Sequence, residues 1–115
     1  MWASDPKQTM PQWVQLQWNA PVTLNSVYLT FDTELNNRWH NVALVPECVR
    51  DYQLTARVNG KWRRLASETE NFQRRRNHRF DAVTTDRLRV TVTATNGDPA
   101  ARIHEIRAYH EQKKP

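Results

Sequence analysis

Two polar stretches of this chain carry most of the side chains that could do chemistry. Asn36, Asn37, Arg38, Trp39 and His40 stand together in the first, and Asn71 with Arg74, Arg75 and Arg76 in the second. An indole face can cover the C–H side of a sugar ring, while planar amides and guanidinium forks bond its hydroxyls. The mix suits a neutral, hydroxyl-rich ligand. In that reading Trp39 is the stacking platform and Asn37, His40 and Arg74 are the hydrogen-bonding candidates. Asn36, Arg38, Asn71 and Arg76 complete the candidate set. Against it, Trp39 could simply plug its loop into the core, and His40 could be a locally satisfied loop histidine.

Other chemistries find less support. Asp32, Glu34 and Glu47 could converge as the paired carboxylates of glycoside cleavage, but nothing in the sequence fixes their separation. His40, Cys48 and His78 lack the close paired spacing of a zinc site. Cys48 is the single cysteine, so an internal disulfide is excluded, and it reads as a small buried hydrophobe. With only two glycines, no phosphate-cradling loop can be written. The net charge of +5 comes mostly from arginine, but only Arg74, Arg75 and Arg76 form a run. A nucleic-acid module would set those three on phosphates with Trp39 stacked on a base. Charge spread through every strand is more simply a set of solvated faces. No apolar run is long enough to span a membrane, and the first residues lack a signal-peptide layout.

The elements that must position these residues read as strands. In residues 86–96, Leu88, Val90, Val92 and Ala94 alternate with Arg87, Arg89, Thr91, Thr93 and Thr95. That period of two gives one apolar and one polar face, and β-branched residues favour the extended backbone. Similar alternation marks 12–18 and 24–32, joined by a short connection containing Pro21, and then 52–58. Asn59-Gly60 is a two-residue hairpin turn leading into 61–66. Residues 67–76 read as irregular, 77–81 as a short strand and 82–85 as a turn. Ile103 and Ile106 have opposite parity, which demands a bulge or two covered faces in the last strand. No helical period is visible. Seven short strands with turns between them predict an all-β, antiparallel β-sandwich or jelly roll over residues 1–110, with an open barrel as the alternative and a frayed charged tail at 111–115. Val14, Leu16, Leu29, Phe31, Leu54, Leu88, Val90, Val92 and Ile106 are the expected core.

If each strand crosses the sandwich once, successive connections alternate between its ends. The short ones, 19–23, 59–60 and 82–85, then share one end. The N-terminal segment and the connections 33–49, 67–76 and 96–101 share the other. Long polar loops gathered at one end of a rigid scaffold are where binding resides.

A set of short matches then appears in order along nearly the whole chain: Pro11-Gln12-Trp13-Val14-Gln15-Leu16, Val27-Tyr28-Leu29, Asp51-Tyr52, Trp62, His78-Arg79-Phe80, Leu88-Arg89-Val90 and Ala101-Arg102-Ile103-His104-Glu105-Ile106. In this it resembles the discoidin, or coagulation-factor type C, family of galactose-binding-like jelly rolls. Asn-Asn-Arg-Trp-His and Val-Pro-Glu-Cys-Val also look like modules appended to bacterial FAD-dependent oxidoreductases and carbohydrate-active enzymes. The resemblance implies a non-catalytic glycan-binding module, exported with its parent protein if carbohydrate-directed. Docking against other domains of a parent enzyme is the alternative. It also implies a structural calcium ion, for which Glu105 matches the family's glutamate. The family's first strand and Asp-Gly loop should precede Trp2 and are missing.

Overall fold

A computed structural model describes residues 2–31, 48–71, 73–97 and 100–111. Their strands are β1 (Trp2–Ala3), β2 (Gln12–Phe31), β3 (Val49–Val58), β4 (Lys61–Glu68), β5 (Arg75–Thr95) and β6 (Arg102–Tyr109). All pairs are antiparallel, in the order β1-β6-β2-β5-β3-β4. No helix occurs among the described residues.

Two long strands make the sandwich. The first part of β2, from Gln12 to Gln17, pairs with Val92 back to Arg87 of β5, whose other side pairs with β3. The rest of β2, from Val22 to Thr30, pairs with Thr85 back to Arg75, and its other side pairs with β6. The register breaks between Gln17 and Val22, around Pro21, which has no N–H for the ladder. On one side of that break lies a layer of early β2, late β5, β3 and β4. On the other lies a layer of early β5, late β2, β6 and β1. The two face each other: the Phe31 and Tyr52 rings, one from each layer, have centroids 5.1 Å apart. The protein is an antiparallel β-sandwich.

The expected strands at 12–18 and 24–32 are thus one strand, and those at 77–81 and 86–96 are another. Pro21 and the 82–85 stretch interrupt the alternation where β2 and β5, still paired, bend from one layer to the other, so a bend within a strand looks like a turn in the sequence. Residues 75 and 76, read as irregular, already belong to β5. Asn59-Gly60 is the turn expected, with φ of 53° and 77°. The opposite parity of Ile103 and Ile106 is a register shift: Thr30 pairs with Glu105 but Phe31 with Ile103.

Leu29, Phe31, Leu54, Leu88, Val90 and Val92 are buried in the core as expected, with Val27, Tyr52 and Ile103 beside them. Each such side chain removed from water is worth about 1.5–3 kcal/mol. Val14, Leu16 and Ile106 are only partly buried against that core. The first two sit on early β2, the outermost strand of its layer. Glu111, expected in the frayed tail, is pinned: its N–H donates to Asn25 Oδ1 at 2.7 Å, and Asn25 Nδ2 donates to its carbonyl at 2.7 Å. Ser26 and Tyr28 hydroxyls donate to its carboxylate, and these bonds hold its pKa below the usual carboxylate value.

Candidate functional site

The bends of β2 and β5 at 19–23 and 82–85 lie at one end of the sandwich with the Asn59-Gly60 turn, and the described flanks of the other connections lie at the opposite end. Pro21, Asn59, Gly60, Thr84 and Thr85 line one shallow depression at the end where β2 and β5 bend. At the opposite end a hydrogen-bonded floor ties the remaining segments together. Ser4 N–H donates to Ala101 O at 2.8 Å, and Ala101 N–H returns a bond to Ser4 Oγ at 2.8 Å. Asn96 N–H donates to Cys48 O at 3.0 Å, and Asn96 Nδ2 to Asn71 O at 3.1 Å. Phe31 N–H donates to Arg74 O at 2.6 Å. Phe31 and Cys48, the described residues on either side of 32–47, are both fully buried here.

Asn71 is the centre of this floor. It is 2% exposed, and its Nδ2 donates to Val49 O at 2.8 Å and Gln73 O at 3.1 Å. Its Oδ1 accepts from Gln73 N–H at 3.2 Å. In this arrangement the amide is bonded to backbone on both its nitrogen and its oxygen. Arg76 is likewise occupied, with Nη2 2.7 Å from the Glu68 carboxylate. Arg74 supports the floor through its carbonyl and is half-buried; Arg75 is exposed. Asn36, Asn37, Arg38, Trp39 and His40, with Asp32, Glu34 and Glu47, lie outside the described residues. Glu105 stands on the outward side of β6 in an ion pair with Arg107. Glu105 offers one carboxylate towards the six to eight oxygens that a calcium ion takes, and backbone carbonyls would have to supply most of the rest. Among the described residues no three His, Cys, Asp or Glu side chains gather as a metal site.

Two outward-facing groups were not singled out as sites. Tyr28, Thr30, Arg75, Asn77, Glu105 and Arg107 line a depression of about 230 Å³ on the layer containing β6. On the other layer the Arg89 guanidinium carbon lies 3.9 Å from the centroid of Trp13 and 4.2 Å from that of Trp62. Outward parity on each strand was the available signal for both; which strands lie side by side was not.

No family model and no curated protein sequence matches the chain. Solved structures do. The family 32 carbohydrate-binding module of Streptococcus pneumoniae EndoD superposes with a TM-score of 0.76 at 22% identity, over 96% of this chain and 75% of that one. The family 32 module from C. perfringens NanJ, solved in complex with galactose, gives 0.74 at 18% identity, over 95% and 75%. SpGH29 gives 0.74 at 21% identity over 97% of this chain, which spans only 22% of that longer protein. The fold is therefore that of the discoidin-like family 32 carbohydrate-binding modules.

Proposed function

We propose that this chain is a non-catalytic glycan-binding module working through the loop end, with Trp39 as the sugar platform. Asn37, His40 and Arg74 hydrogen-bond the hydroxyls. The observation that carries the reading is the gathering at one end. The flanks of 32–47, the Asn71 turn and the Asn96 turn are all fixed to one floor, on a scaffold shared with carbohydrate-binding modules. Rigid support of long connections lowers the ordering entropy that a bound sugar must overcome.

The test is a glycan-array screen at low and high salt, with galactose as the first free ligand titrated. Salt-insensitive binding to one family of sugars is expected. Trp39→Ala should weaken it at least tenfold at an unchanged melting temperature; unchanged affinity discards the platform assignment. An array without binding transfers the role to docking against other domains of a longer parent, the arrangement that the partial coverage of SpGH29 favours.

A further inference from the structure

The outer face of the β2-β5-β3-β4 layer has a composition that its fold does not require. Its register lays outward side chains in cross-strand rows. Trp13 pairs with Thr91, Thr91 with Gln53 and Gln53 with Ser67. In the next row Gln15 pairs with Arg89, Arg89 with Thr55 and Thr55 with Arg64. Beyond it Gln17 pairs with Arg87, and Arg57 with Trp62. No position in these rows is a carboxylate. Arg57, Arg64, Arg87 and Arg89 make no ion pair among the described residues. Trp13 and Trp62 remain 51% and 41% exposed although Arg89 lies against both rings.

A solvated sheet face usually mixes charges of both signs, so like charges are not left side by side. Here the arginines of these rows make no ion pair among the described residues, and one of them is held in place. Arg89 is fixed by two indoles and by a bond from its Nη2 to Gln15 Oε1 at 2.9 Å. We propose that this face is a second binding surface, for a polysaccharide bearing uronate carboxylates. Guanidinium forks match carboxylates two bonds at a time. The open indole area takes the C–H faces of sugar rings. Between the arginines stand amides and hydroxyls (Gln15, Gln53, Thr55, Thr91), which suit a chain carrying hydroxyls on every ring. A DNA backbone would present phosphates without them. The surface spans four strands, about 14 Å from β2 to β4, enough for several rings.

The surface is separate from the loop end, so the two fail independently. Alginate and hyaluronate oligosaccharides are titrated into the 115-residue chain, with a twenty-nucleotide oligo-dT as the competing polyanion. Expected are binding to a uronate chain that weakens with salt, and a tenfold or greater loss in the Arg57→Glu, Arg64→Glu double variant. Trp39→Ala should leave that binding intact. In the unaltered protein the indole N–H resonances of Trp13 and Trp62 should shift on titration, a readout needing no variant to fold. Absence of binding to both uronate chains overturns the proposal. So does tighter binding of oligo-dT, or binding that neither moves these resonances nor responds to the charge reversal.

Discussion

Asn71 shows how one buried side chain can tie several backbone segments together. Its amide satisfies the carbonyls of Val49 and Gln73 and the N–H of Gln73, all where the chain leaves the sheet. Buried polar groups left unpaired cost about 1–3 kcal/mol each. Asn71→Ala should therefore lower unfolding stability by about 2 kcal/mol, read as a drop in the denaturant midpoint without a change in slope. Asn71→Asp keeps the size but turns an oxygen towards two carbonyls, so it should be at least as damaging. An Asp variant as stable as the parent would mean that volume, not hydrogen bonding, is what the floor needs. The contrast with Arg75 is instructive, since both were polar residues of one stretch. One closes inward and the other faces solvent.

At the scale of the element, the hairpin between β3 and β4 isolates a backbone effect. Gly60 has φ of +77°, and a Cβ built there meets nothing within 4 Å. Gly60→Ala thus adds no clash, only the penalty of a left-handed conformation, about 1 kcal/mol. The melting temperature should fall by about 4 °C, with any glycan affinity unchanged. A larger loss would point to a contact at the bend with Pro21 or Thr85. This turn was legible in the sequence because Asn-Gly encodes its own φ angles. The core positions were legible because alternation marks a buried face, as at Leu88, Val90 and Val92. The two long strands were not: a proline and the 82–85 stretch disturb the ladder, and only pairing partners show that β2 and β5 stay together across the bend. Nor was the fate of Asn71 and Arg76, whose carbonyl and carboxylate partners lie on other elements. The Trp13–Arg89–Trp62 stack escaped for the same reason, its members coming from three strands.

At the scale of the whole molecule, a buried polar contact reaches between the two layers. Tyr52 on β3 and His78 on early β5 meet at 2.6 Å, hydroxyl to Nε2, with both side chains buried. Burial raises the Tyr52 pKa above its ordinary value and lowers that of His78. At neutral pH both groups are uncharged, so Tyr52 donates and the imidazole Nε2 accepts. In the unfolded chain His78 takes up a proton near its ordinary value of 6.5, whereas the folded protein resists until a lower pH. Below pH 6.5 the unfolded state therefore binds more protons, and stability falls with falling pH. Above that value this contribution is constant. Carboxylates enter only below about pH 5, which leaves a window in which His78 should dominate the slope. Chemical denaturation at intervals across that window should show the decline in the parent protein. His78→Phe should flatten it while lowering stability at neutral pH, because the Tyr52 hydroxyl loses its acceptor. A slope unchanged by that substitution would leave the layer-to-layer contact without a part in acid sensitivity.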